Sequence, residues 1–336
     1  MSLIFLLTFF LHLGLSVLAA DYSCSRPKYF PSQNRIYKSF KHFSVDVRNN
    51  GTNARLHYVR EGPKDGETVV LIHGYPQSWY EWRNQIPQLA KAGYQVIAFD
   101  TRGQGESSIP DDGYDALTVA TDLHLALASL NITEKVHIVT HDIGVWIGYA
   151  YVHEFNREVA SFTVSGSPVP GETLGNIPSY PRPGTFKWWF ASLQSEPSPF
   201  PEELVRCKER LYFNKVFDYL MLPDTRSGIN QEDFDEYIRI LTRKNEFRAG
   251  NDYYRNFWNT IDIYSSRGYY NTTLTIPVFA VMDTLLGSLV ADSIKEYASN
   301  VESQEYHGGH FIWEEAPKAT TAGLINFLNR VSAMLR

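Results

Sequence analysis

Cysteine is nearly absent from this chain: Cys24 and Cys207 are the only two among 336 residues. A disulfide-rich scaffold is thereby excluded. With no Cys-x-x-Cys pair and no paired-histidine helix motif, neither a structural nor a catalytic metal is expected, and no cofactor motif stands in its place. One thiol lies near the start of the chain and one in its middle, so a single disulfide and two free thiols both remain open. Basic runs are missing too. Together with a net charge of −6, that argues against nucleic acid or an acidic membrane surface as a partner and leaves a small molecule. No internal repeat or low-complexity tract is visible.

A long hydrophobic run occurs at the start, in "MSLIFLLTFFLHLGLSVLAA". It fits a secretory signal covering residues 1–20, cleaved after Ala19 or Ala20, although no basic residue opens it. The competing reading is an uncleaved anchor; His12, Gly14 and Ser16 interrupt the run and no basic stop follows. Asn50, Asn131 and Asn271 each begin an Asn-x-Thr tripeptide, compatible with a secreted glycoprotein. About 316 residues remain after such a leader. That is enough for one large α/β domain with an insertion, or for two domains.

Strand and helix signals then alternate. "FSVDVR" and "ARLHYVRE" flank "NNGTN" and predict an antiparallel hairpin. "ETVVLIHG", "YQVIAFD", "KVHIVTHD" and "ASFTVSG" are short, near-continuously apolar runs, as strands buried on both faces should be. Helices are predicted around 79–92, 116–130 and 145–155. The alternation implies a mostly parallel sheet with helices on both faces. From about Pro168 to Tyr264 the pattern changes to a Pro- and Gly-rich stretch followed by aromatic helical segments, "FKWWFASL" and "NDYYRNFW". It resumes at "TIPVFAVMD", passes a helix over 288–300, and ends in "SQEYHGGH" and a last helix. The expected organisation is an α/β core over 38–168 and 265–336, with a helical cap over 169–264 inserted between its halves.

In an open parallel sheet, ligands gather beyond the C-terminal ends of the strands. Four polar features fall there: "HGYP" (residues 73–76), Asp142, Asp283 and His310. In chain order the last three run nucleophile, acid, histidine, the order of α/β-hydrolases. The chain resembles that family, and within it the branch of epoxide hydrolases and of haloalkane and haloacid dehalogenases. The motifs that carry the resemblance are "HGYPQSWYEWR", "FDTRGQGES", "THDIG", "YYRN" and "GGHF", spread over nearly all of the chain after the leader. It implies an eight-stranded, mostly parallel sheet with an inserted helical cap.

A sharp strand-to-helix turn at "THDIG" would hold the Asp142 side chain out near the positive end of the following helix. A carboxylate there attacks saturated, electrophilic carbon and forms an ester, which selects epoxides or alkyl halides over carboxylic esters. Thr140 replaces the usual glycine at the first small position of this elbow, while Gly144 and Gly148 still permit close approach of the helix. By resemblance, the backbone N–H groups of Tyr75 and Ile143 hold the oxyanion, with a cis bond before Pro76. His310, rather than the nearby His307, activates the hydrolytic water. His141 is expected to point away from the cleft in a structural role. The resemblance also makes Tyr254, in "YYRN", the expected proton donor to the opening epoxide oxygen.

Three departures accompany this pattern. The usual orienting acid falls at Leu286, and its alternative place offers only Ser165 or Gly166, so Asp283 or Glu172 must serve. The usual partner of the cap tyrosine is replaced by Trp188 and Trp189, whose indole N–H groups donate but cannot give up a proton. Such donors also stabilise halide, which makes a dehalogenase the second reading, although Ile143 stands where haloalkane dehalogenases carry tryptophan. A third reading, a non-catalytic secreted binding protein of the same fold, draws on the missing acid. The oligomeric state is not encoded in any motif.

Overall fold

Four runs of five to seven residues, rich in valine and isoleucine, form the centre of the sheet, and every residue in them is buried. The computed structural model describes residues 30–171 and 188–335. The leader at 1–20, Cys24 and Glu172 lie outside the described residues. A short helix α1 (Arg35–Ser39) leads into β1 (His42–Asn49) and β2 (Thr52–Glu61). These pair antiparallel, with Asn49 opposite Thr52. Asn50 and Gly51 form the two-residue turn with φ of 48° and 87°, the left-handed pair that such hairpins need.

The core continues with β3 (Thr68–Ile72), α2 (Ile86–Lys91), β4 (Gln95–Phe99), α3 (Ala116–Ser129), β5 (Val136–Thr140), α4 (Ile143–Glu154) and β6 (Val159–Ser165). After β6 come the helices α5 (Trp189–Gln194), α6 (Phe200–Val205), α7 (Glu209–Leu220), α8 (Gln231–Leu241), α9 (Glu246–Arg255) and α10 (Phe257–Ser266). The sheet is then completed by β7 (Val278–Met282), α11 (Leu289–Lys295), β8 (Val301–Glu305), α12 (Ile312–Glu315) and α13 (Pro317–Leu335). Strand order is β1-β2-β4-β3-β5-β6-β7-β8. The β1–β2 and β2–β4 pairs are antiparallel, and every pair from β4–β3 to β7–β8 is parallel. The order reverses around β3, so the loops after β3 and β5 open at one end of the sheet beside each other, the place where open parallel sheets of this kind bind their ligands.

Two predicted helices come out differently. Residues 79–92 form a 3-10 turn over Trp79–Asn84 and only then α2. Pro87 lacks an N–H and sits in the first turn of a new helix, where none is needed. The helix expected over 288–300 ends at Lys295. "NDYYRNFW" is also broken at Asn256, between α9 and α10. Cys207 is disulfide-bonded, which removes the two-free-thiol alternative. Asn50, Asn131 and Asn271 are all exposed. Among the described residues, no helix is long and apolar enough to cross a membrane.

Candidate active site

The turn between β5 and α4 places Asp142 at φ 51° and ψ −124°, at the head of α4. A non-glycine residue rarely adopts a positive φ, and the strain is held by its surroundings. The Asp142 N–H donates to the Ser165 carbonyl at 3.0 Å, and Gly144 N–H to the His141 carbonyl at 2.8 Å. A Cβ on Gly144 would come within 2.5 Å of the Ile72 carbonyl oxygen, and one on Gly148 within 2.5 Å of the Thr140 methyl. The two glycines therefore make room for α4 against β3 and against the bulkier Thr140. The Thr140 hydroxyl donates to the Thr163 carbonyl at 2.6 Å, so the extra side chain is anchored on β6.

The Asp142 carboxylate is buried, 7% exposed, and its two oxygens face different groups. Oδ1 accepts from the Tyr75 N–H at 2.9 Å. The Ile143 N–H also bonds the carboxylate. Oδ2 lies 3.5 Å from Nε2 of His310. Burial pushes this carboxyl up, but His310, His141 and the Ile143 N–H outweigh it and hold the group below the usual carboxylate range. Asp142 is thus ionised at neutral pH, with its carboxylate engaged by two backbone donors. The bond before Pro76 is cis.

His310 rides on the loop after β8. Its N–H donates to the Leu220 carbonyl at 2.8 Å, and Glu315 accepts from the N–H groups on either side, Gly309 at 2.8 Å and Phe311 at 3.0 Å. Nε2 faces the nucleophile, whereas Nδ1 is buried with no hydrogen-bond partner. His307 lies at the surface, 2.7 Å from Asp224.

Asp283 is completely buried at the end of β7. Its Oδ1 accepts from Leu285 and Leu286 N–H at 2.8 and 2.9 Å, which ties it to its own turn. Its Oδ2 has no partner. Burial raises its carboxyl, opposed by those N–H groups and by the charge of His310. Asp283 and His310 therefore sense each other but share no hydrogen bond.

From the inserted helices, α9 brings Tyr254 down between two rings, with centroids 6.1 Å from both Tyr75 and Trp146. Burial, and then the charge of Asp142, push its phenol well above the usual tyrosine value. It keeps its proton across the neutral range. The two tryptophans part company: Trp188 sits edge-on to His310 at 6.5 Å, whereas Trp189 packs on Tyr212 and Tyr219 at 5.7 and 6.3 Å. Tyr212, on α7, joins the site without any motif to mark it. Its hydroxyl is buried without a partner, and it couples electrostatically to Tyr75 and Tyr254. As one aromatic among many on an aromatic helix, it carries no signal that would single it out.

An ionised carboxylate on a strained elbow, two N–H donors, an imidazole and a protonated phenol can together perform nucleophilic displacement followed by hydrolysis. The α/β-hydrolase fold model matches residues 67–206. The chain is 30% identical over 265 residues to a soluble epoxide hydrolase of a Corynebacterium species, covering 79% of this chain and 90% of that one. It is 29% identical to epoxide hydrolase A of Mycobacterium tuberculosis, over 82% of this chain and 94% of the relative. It superposes on the unliganded structure of the epoxide hydrolase CorEH with a TM-score of 0.74 at 29% identity, covering 88% and 100% of the two chains. The chain belongs to the α/β-hydrolase family. Its homologues there include epoxide hydrolases.

Proposed function

We propose that this enzyme opens a small apolar epoxide to a vicinal diol through an ester on Asp142. The observation that carries this reading is the split environment of the carboxylate, with Oδ1 on the Tyr75 N–H and Oδ2 facing His310, and with the Ile143 N–H as a second donor to the group. Oδ2 attacks a ring carbon and the C–O bond of the epoxide breaks. Tyr254 gives its proton to the departing oxygen, and a hydroxyalkyl ester results. His310 then takes a proton from water, which adds to the ester carbonyl carbon. The oxyanion develops on Oδ1, which already accepts from the Tyr75 N–H, while the Ile143 N–H bonds the same carboxylate; such donors are worth roughly 3 kcal/mol each. Collapse breaks the ester C–O bond; the released oxygen takes the proton from His310 to complete the diol, and the proton left on the Asp142 carboxyl returns to the Tyr254 phenolate.

Asp283 is the acid assigned to His310. Its Oδ2 and the Nδ1 of His310 are both buried without a hydrogen-bond partner, and pairing them as the imidazolium forms would satisfy both. A dehalogenase remains the second reading because the Trp188 ring lies beside His310, where an indole N–H would suit a halide.

The test is a single turnover in oxygen-18 water. The first diol should carry unlabelled oxygen from Asp142; label in that first product would mean that water attacks the substrate directly. His310→Gln should still alkylate, accumulating protein plus substrate by intact mass, and Asp283→Asn should accumulate less. A folded His310→Gln variant that forms no adduct would remove the base assignment.

A further inference from the structure

His141 immediately precedes the nucleophile and takes no part in the steps above. It is 1% exposed, and both ring nitrogens are engaged. Nδ1 lies 3.1 Å from Oε2 of Glu81, and Nε2 lies 2.8 Å from the backbone carbonyl of His310. A carbonyl only accepts, and an ionised carboxylate only accepts, so both nitrogens must donate. The side chain is then an imidazolium balanced by Glu81, which is wholly buried. Burial by itself pushes His141 down, but Glu81, with Asp142 and the His310 carbonyl, lifts it to about 9. Gly166, at φ 68°, leaves space for the ring: a Cβ there would lie 2.5 Å from Nε2.

We propose that the buried Glu81–His141 ion pair is a positioning element of the site, fastening the His310 loop to the nucleophile elbow and setting a fixed positive charge behind Asp142. The proposal rests on the roles given to Asp142 and His310 above. Three loops meet at this pair. Glu81 belongs to the Trp79–Asn84 turn that follows the oxyanion loop, and its Oε2 also lies 3.5 Å from the Gly74 N–H. His141 ends the nucleophile strand. The accepting carbonyl belongs to the base itself, and the two imidazole rings stand 4.8 Å apart.

The other charged groups facing the pair are Asp142 and Asp283 beside His141, and Glu314, paired with Arg83, beside Glu81. A cation here favours the ionised carboxylate and the later oxyanion over the neutral ester between them. It therefore keeps the nucleophile charged in acid and assists the second step.

Glu81→Gln separates charge from tether. A carboxamide N–H can donate to Nδ1 of a neutral His141, whose Nε2–H still reaches the His310 carbonyl. Imidazole NMR of the unreacted wild-type protein should find His141 doubly protonated at pH 7.5, and Glu81→Gln should find it neutral. With an epoxide, the acid limb of Asp142 alkylation in Glu81→Gln should move up by about one pH unit. Ester hydrolysis relative to alkylation should fall about tenfold, and Glu81→Asp should restore both.

A neutral wild-type His141 at pH 7.5 overturns the proposal without any variant. So does a folded Glu81→Gln protein with neutral His141 whose acid limb and hydrolysis ratio are unchanged. If wild-type protein forms no adduct with any epoxide or haloalkane, the reaction reading falls, and the ion pair is judged on the wild-type NMR titration.

Discussion

The Tyr254 hydroxyl distinguishes the two candidate leaving groups. An alkoxide from an epoxide needs a proton as it departs, whereas a halide leaves as a stable anion. Burial and the Asp142 charge keep the phenol protonated, so it is a donor at any neutral pH. Tyr254→Phe should slow epoxide alkylation of Asp142 by ~100- to 10,000-fold, the usual contribution of a general acid. Trp189→Phe should have a much smaller effect, because its ring packs on Tyr212 and Tyr219. Quenched-flow with intact mass detection reads both. If the tyrosine change is tolerated and haloalkanes release halide, the dehalogenase reading replaces the epoxide one.

The strand-turn-helix unit of β5 and α4 presents the nucleophile, and it works only because α4 starts against the end of β3. Gly144 is the contact point, since a methyl group there would meet the Ile72 and His73 carbonyl oxygens at 2.5 and 2.8 Å. Those atoms belong to the backbone of a buried strand, or lie right beside it, and cannot step aside cheaply. Gly144→Ala should cost about 1–3 kcal/mol of stability, the usual range for overpacking, measured by urea denaturation. Because the shift would also move Asp142 relative to the Tyr75 N–H, alkylation should fall in the same variant. A variant with wild-type stability would show that α4 can slide without penalty.

Across the molecule, one buried cluster joins the core to the inserted helices. Arg83, 4% exposed, pairs with Asp233 on α8 at 2.9 Å and with Glu314 on α12. Its guanidinium also lies 4.6 Å from the centre of the Tyr80 ring, and the Tyr80 hydroxyl donates to Asp233 at 2.8 Å. Removing the cation leaves two buried carboxylates without their counter-charge. Arg83→Ala should therefore cost about 3–5 kcal/mol, as for other broken buried pairs. Differential scanning calorimetry tests this; a loss below ~1 kcal/mol would mean that water or another cation takes over.

Much of this protein is determined by local sequence. A strand buried on both faces is nearly continuously apolar, so "VVLI", "VIAF" and "VHIV" declare themselves. Asn50-Gly51 can take the left-handed turn, which closes the first hairpin. Asp142 is legible because it stands between a β-branched run and a glycine-spaced helix. Relations between distant loops are different. Whether Asp283 reaches His310 depends on Leu285 and Leu286 N–H groups capturing one of its oxygens, a contact made by the backbone of a turn. Which tryptophan lies by the base depends on the angle at which α5 begins. The role of His141 depends on Glu81, sixty residues earlier in the chain. Periodicity and propensity act over a few residues, so they specify strands, turns and helices. Side-chain direction and charge pairing across loops are decided only when the sheet brings their ends together.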